Sequence, residues 1–230
     1  MSYNISTIPV WRAFNKDNLC PLCEIREKTT TDVIDSYLNE AVMEDGARAK
    51  VNKRGFCKAH FDVLLSGNNK CGLALQMTTR IEYLNSLLKA PSVKNARKFA
   101  EKVEENLNSC VVCDEVEFNM SRYFETIPKL YKDDEKFREE AFKNVNGFCF
   151  ADYLRLLKNA AHAGKFAERF ISELTSIQKS SVAETISDLK DFTGSFDYRR
   201  SEPVKKNAAL SLKASRIKLY GKPDKFIERK

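Results

Sequence analysis

Two pairs of cysteines, each with a second ligand pair downstream, constrain this chain more than any other feature. Cys20 and Cys23 form Cys-Pro-Leu-Cys, and Cys57 is followed three residues later by His60 in Gly-Phe-Cys-Lys-Ala-His. The layout recurs as Cys110 and Cys113 in Cys-Val-Val-Cys, then Cys149 in Gly-Phe-Cys-Phe-Ala-Asp, where Asp152 stands at the place of His60. Only Cys71 falls outside the pattern. The offset is 90 residues from Cys20 to Cys110, 92 from Cys57 to Cys149 and 93 from Leu73 to Phe166. It also carries Phe61, Leu64 and Leu65 onto Tyr153, Leu156 and Leu157, and Leu73, Met77, Ile81 and Leu84 onto Phe166, Phe170, Leu174 and Ile177. Those last positions step along one face of a helix. Core and cysteines recur together, as expected of a duplicated structural unit.

Zinc suits the pattern. Zn²⁺ takes four tetrahedral ligands from thiolate and imidazole, and three cysteines with one histidine are a common closed set. Residues i and i+3 in the first turn of a helix aim two ligands the same way, and the positive end of the helix favours thiolate. The expectation from order along the chain is one ion on Cys20, Cys23, Cys57 and His60 and a second on Cys110, Cys113, Cys149 and Asp152. Water or His162 could replace Asp152 as fourth ligand, or the second set could hold no metal and merely pack. Pro21 suits a first helical turn. Gly55 and Gly147 are placed to turn the backbone with positive φ into the following helix.

These residues resemble an uncharacterised family of prokaryotic proteins with a duplicated CPxC, GFCxxH zinc-ligand pattern and a helical body. The resemblance covers most of the chain, including Phe-Asp-Tyr-Arg at Phe196 to Arg199. It implies zinc at Cys20, Cys23, Cys57 and His60 and, by repetition, at Cys110, Cys113 and Cys149. It brings no activity with it.

The remaining pattern is helical. Ile8, Val10, Trp11 and Phe14 mark a short helix over 6–15. A long one is expected from Pro21 to Met43, ended by Asp45-Gly46 and followed by a variable segment up to Gly55. A short helix over 57–66 and a Gly67-Asn68-Asn69 turn precede a long helix over 71–90. A helix capped by Pro91-Ser92 runs through Ala96, Ala100, Val103 and Leu107 to the second cysteine pair. No run alternates with the period of a strand. The expected class is all-α: a first zinc-clasped repeat over 1–90, a second over 91–192, the two packed as one body, and a basic C-terminal extension over 193–230.

Charge is uneven. The formal net of +7 comes from 39 Lys and Arg against 32 Asp and Glu, yet residues 199–230 alone hold 11 against 3. Pro203 to Gly221 reads as a helix with Val204, Ala208, Leu212 and Leu219 along one side and Lys205, Lys206, Lys213, Arg216 and Lys218 around the rest. Such a segment could hold an acidic protein or nucleic acid by charge neutralisation, with Phe192, Phe196 and Tyr198 available to stack on bases. A docked helix with a solvated face is the favoured expectation.

Few enzyme classes fit. The chain has two histidines, and the metal reading uses His60. Gly67 to Gly72 has phosphate-loop spacing but continues Leu73-Ala74 where Lys and Ser or Thr are needed. Thiol-disulfide exchange at Cys20 and Cys23 is an alternative, although it leaves Cys57, His60 and Cys149 unexplained. An open catalytic zinc and an iron-sulfur cluster are further metal alternatives. No apolar run approaches membrane-span length and no secretory signal is visible, so the expected setting is cytoplasmic, where thiols stay reduced. The function expected is that of a zinc-binding helical protein with structural metal and a macromolecular partner that the sequence does not identify.

Overall fold

The computed structural model describes residues 7–196 and 210–222, and these are helical, with no strand among them. In chain order the helices are α1 (Thr7–Phe14), α2 (Pro21–Leu38), α3 (Asp45–Arg54), α4 (Lys58–Ser66), α5 (Lys70–Leu87), α6 (Val93–Leu107), α7 (Val111–Asp133), α8 (Phe150–Lys158), α9 (Ala167–Gly194) and α10 (Ser211–Tyr220). Short 3₁₀ turns at Glu40–Met43 and Ala160–Phe166 and a π-turn at Phe137–Phe142 join some of them.

The chain divides into two compact units. One combines residues up to Glu27 with Met120–Pro223, and the other is built on Lys28–Asn119. The ligand pairs at Cys20 and Cys110 therefore open helices whose two ends belong to different units. In the first unit the core is aromatic. Tyr131 meets Phe142 edge-on at 5.0 Å and Phe170 edge-on at 5.1 Å, and Phe14 packs at 5.2 Å on Phe137 and at 6.1 Å on Phe148. Phe137, Phe142, Phe148, Phe170 and Tyr131 are all fully buried. In the second unit the core is smaller and aliphatic, with Val33, Ile34, Val42, Val51, Val63, Leu64 and Leu73.

Two local expectations are corrected. The helix from Pro21 ends at Leu38, and Asp45-Gly46 starts α3 instead of terminating α2. Glu44 is extended just before it, and Asp45 places a carboxylate in the positively polarised first turn. Along α5 the buried face is Leu73, Gln76 and Arg80, while Ile81 is 63% exposed. The polar pair is buried because both side chains bond carbonyls in the last turns of neighbouring helices, which have no intrahelical partner: Gln76 donates to Tyr37 in α2, and Arg80 donates to Asn52 in α3 at 2.7 Å and Asn106 in α6 at 3.2 Å. In α9 the expected Phe170 and Leu174 are buried, and Gln178 and Ser181 continue that face.

Candidate metal centres

Four helices begin in the same way. Cys20, Cys57, Cys110 and Cys149 each stand immediately before a helix, and Cys23, His60, Cys113 and Asp152 are each the third residue inside it. This is the geometry in which a Ser or Asp oxygen caps a helix by accepting a backbone N–H. Sulfur takes that part here: Cys23 N–H donates to Cys20 Sγ at 3.3 Å, and Asp152 N–H to Cys149 Sγ at 3.5 Å. Gly55 (φ 64°) and Gly147 (φ 88°) make the left-handed turns ahead of Cys57 and Cys149, as their positions in the sequence require.

The eight candidate ligands form two quartets, each with its ligand atoms within 4.8 Å of one another. Cys57, His60, Cys110 and Cys113 make a Cys3His quartet. His60 Nδ1 lies 3.3 Å from Cys57 Sγ and 3.4 Å from both Cys110 Sγ and Cys113 Sγ, and Cys57 Sγ lies 3.9 Å from Cys113 Sγ. A zinc tetrahedron with Zn–S of about 2.3 Å and Zn–N of about 2.0 Å has S···S edges of about 3.8 Å and S···N edges of about 3.5 Å. The donor set and its edges fit zinc. Cys110 is buried, Cys57 and His60 are half-buried, and Cys113 is exposed.

Cys20, Cys23, Cys149 and Asp152 make a Cys3Asp quartet, buried on all four corners. Asp152 Oδ2 is 3.5 Å from Cys20 Sγ and 3.6 Å from Cys23 Sγ, again the edge length of a tetrahedron with a Zn–O corner. Its other oxygen, Oδ1, accepts from Arg26 Nη2 at 2.9 Å, which fixes the carboxylate plane. Crowding four acidic groups out of water is costly unless a cation joins them. Without one, burial pushes the Cys20 thiol well up. Hydrogen bonding to Cys149 takes Cys23 up to about 12, and burial raises Asp152 to about 6. Cys149, accepting from Cys20 and Cys23, is held down at about 2 and carries the negative charge. Burial likewise pushes up Cys110 and Cys113 in the other quartet.

The partition expected from chain order is therefore corrected. The first CxxC pair meets Cys149 and Asp152, and the second meets Cys57 and His60. Spacing tells which residues form a pair but not which pairs converge. Asp152 occupies the fourth corner, while His162 is exposed in the Ala160–Phe166 turn and belongs to neither quartet. Cys71 is exposed at the start of α5, also outside both.

A protein-family model matches residues 1–225, nearly the whole chain. The chain belongs to the family of unknown function DUF6062. No curated protein and no solved structure matches it. Membership in DUF6062 supplies no activity, so what the quartets do must be argued from their own chemistry.

The C-terminal helix contributes residues to the Cys3Asp quartet that the sequence hides within a basic run. Lys218 is 3% exposed, and its ammonium donates to the carbonyls of Leu19 at 2.9 Å and Asn146 at 2.7 Å. Lys222 donates its backbone N–H to Cys23 Sγ at 3.4 Å, and its Nζ lies 2.5 Å from Glu24 and 2.6 Å from Glu27. A Cβ on Gly221 would lie 3.6 Å from Cys23 Sγ and 3.8 Å from Cys149 Sγ, so this turn lies directly against the sulfurs. The expected apolar side of the helix is corrected: Leu212 and Leu219 are exposed, and Ser211 and Lys218 are buried. Lys218 is buried because its ammonium meets backbone carbonyls. Val204, Lys205, Lys206, Ala208, Tyr198, Arg199 and Arg200 lie outside the described residues. Phe192 and Phe196 meet edge-on at 5.3 Å. None of the described helices is long and apolar enough to cross a membrane.

Proposed function

We propose that this is a zinc-binding helical protein in which two structural Zn²⁺ ions, one on Cys57, His60, Cys110 and Cys113 and one on Cys20, Cys23, Cys149 and Asp152, fix the starts of α2, α4, α7 and α8. The observation that carries the reading is the Cys3His quartet, whose S···N and S···S separations are the edges of a zinc tetrahedron. Both quartets supply four protein ligands, the mark of a structural site, whereas a catalytic zinc keeps a position for water or substrate. The unit of duplication in this reading is residues 1–90 and 91–192 with a 193–230 extension, each repeat lending its CxxC pair to the other's second pair. A cytoplasmic setting, where thiolates stay reduced, belongs to the same reading.

The protein's work is then to bind a macromolecular partner. Exposed Leu210, Leu212, Leu219 and Tyr220 on or beside α10 support this. An acidic protein or nucleic acid, drawn by residues 199–230, is the charge-based form of the idea, with Lys218 and Lys222 already engaged within the protein. One observation favours a second reading, a zinc-thiolate sensor: Cys113 is solvent-exposed, so oxidants can reach one corner of the Cys3His quartet.

Elemental analysis of the purified chain tests the main reading. Two zinc ions per chain are expected. A folded protein with intact cysteines and no zinc would falsify it.

A further inference from the structure

Each quartet is assembled from two loops far apart in sequence, and each pair of loops is bridged by one buried cationic side chain. For the Cys3His quartet the loops are 55–57 and 108–110. Arg80, from α5, donates to Asn52 O and Asn106 O, in the last turns of α3 and α6, the helices that run into those two loops. For the Cys3Asp quartet the loops are 17–20 and 146–149, and Lys218, from α10, donates to Leu19 O and Asn146 O. Both cations lie beside the positive-φ glycine that precedes the second ligand pair. A Cβ on Gly55 would be 2.7 Å from Arg80 Nε, and one on Gly147 would be 3.2 Å from Lys218 Nζ. The two side chains come from unrelated places in the chain yet do the same thing.

The loops are also joined directly, but not equally. In the Cys3His quartet, Val111 N–H donates to Gly55 O at 3.0 Å, Asn106 Nδ2 to Lys53 O at 2.8 Å, and Ser109 Oγ to Arg54 O at 2.5 Å. The residue corresponding to Val111 in the other quartet is Pro21, which has no N–H to give. There Asn146 reaches Asp17 Oδ1 at 2.8 Å, and Lys218 bonds both loops. The Cys3Asp quartet thus depends on its cation more than the Cys3His quartet does.

We infer that Lys218 and Arg80 are positioning residues for the two metal centres, each clamping together the two segments that lead into the ligand pairs of its own quartet: Lys218 through loop carbonyls, Arg80 through the last-turn carbonyls of α3 and α6. The inference rests on the zinc reading above. A clamp that holds both ligand pairs in place reduces the ordering cost of binding and closes the route by which a ligand pair peels away.

The test is zinc transfer from the loaded full-length chain to a chromophoric chelator, with circular dichroism followed alongside. Lys218→Met is expected to speed release of one of the two zinc equivalents by about 10–100-fold, the usual effect of removing an outer-shell partner. The second equivalent and the helical signal should not change. Arg80→Met should speed the other equivalent by a smaller factor, and the double variant both. Arg80→Lys, which retains a cationic donor, should recover most of the retention lost in Arg80→Met. Unchanged release in both single variants overturns the inference, as does equal acceleration of both equivalents with loss of helix. If Lys218→Met does not fold, the Arg80→Met and Arg80→Lys pair decides. A wild-type chain that binds no zinc overturns the metal reading and the clamp with it.

Discussion

Cys23 Sγ lies 3.6 Å from Asp152 Oδ2 across 129 positions of sequence, while the Cys57 pair that chain order would give Cys23 is part of the other quartet. This exchange separates the ligand sets cleanly in a double-substitution experiment. Cys57→Ser with Cys113→Ser removes two corners of one quartet and should leave one zinc per chain. Cys20→Ser with Cys57→Ser breaks both and should leave none. Pairing by chain order predicts the reverse, so zinc stoichiometry by elemental analysis distinguishes them.

The ion pair at Asp152 gives a second prediction. Arg26 orients the carboxylate from outside the quartet, with its own side chain partly in solvent and Asp152 1% exposed. Arg26→Met should weaken zinc at the Cys3Asp quartet by about 10–100-fold. The Cys3His quartet should keep its affinity, and competition with a chelator of known strength reads both.

Acid should release zinc, with a sign fixed by the thiols. Without metal, Cys20 and Cys23 hold their protons at neutral pH because both are pushed up, whereas Cys149 is already thiolate. Zinc must displace those protons, so affinity rises with pH and is lost as pH falls. Below about 6, Asp152 is protonated as well and adds one more proton to displace. The plot of log affinity against pH for the Cys3Asp quartet should therefore steepen below about pH 6. A constant slope through that region would contradict the placement of Asp152 as a ligand.

Two glycine substitutions should differ in sign. At Gly147, φ is +88° and an added Cβ would sit 2.6 Å from the Ser181 side chain. Gly147→Ala should cost about 2–3 kcal/mol, from backbone strain plus the clash. Gly46 lies in the first turn of α3, where an added Cβ would meet nothing within 4 Å, so Gly46→Ala should be neutral or stabilise by up to about 1 kcal/mol. Thermal melts of the two variants make the comparison.

Much of the centre could be read from the sequence because local rules govern it. A ligand at the cap and another three residues on requires a helix start, and Gly55 and Gly147 take positive φ where the chain must turn into one. The convergence of distant segments resisted reading, because spacing does not encode it. Buried polar residues resisted for a different reason. Arg80 and Lys218 look like surface charge to any hydrophobicity pattern, and only the backbone carbonyls they bond, at helix ends for Arg80 and in loops for Lys218, explain their burial. Ile81 stands exposed because Arg80 takes the inward position.

The exchanged ligand pairs also set a timetable for biosynthesis. As the chain emerges from its N-terminus, Cys20 and Cys23 are made first yet wait for Asp152, 132 residues after Cys20, before their quartet is complete. Cys57 and His60 need only reach Cys113, so the later-starting quartet closes first. For most of translation the earliest thiols are the last to find partners, and the Lys218 clamp arrives only after both quartets exist. A nascent chain that has emerged past residue 113 but not as far as Asp152 would hold all four residues of one quartet and only the bare Cys-Pro-Leu-Cys pair of the other, open to whatever metal or oxidant reaches it first.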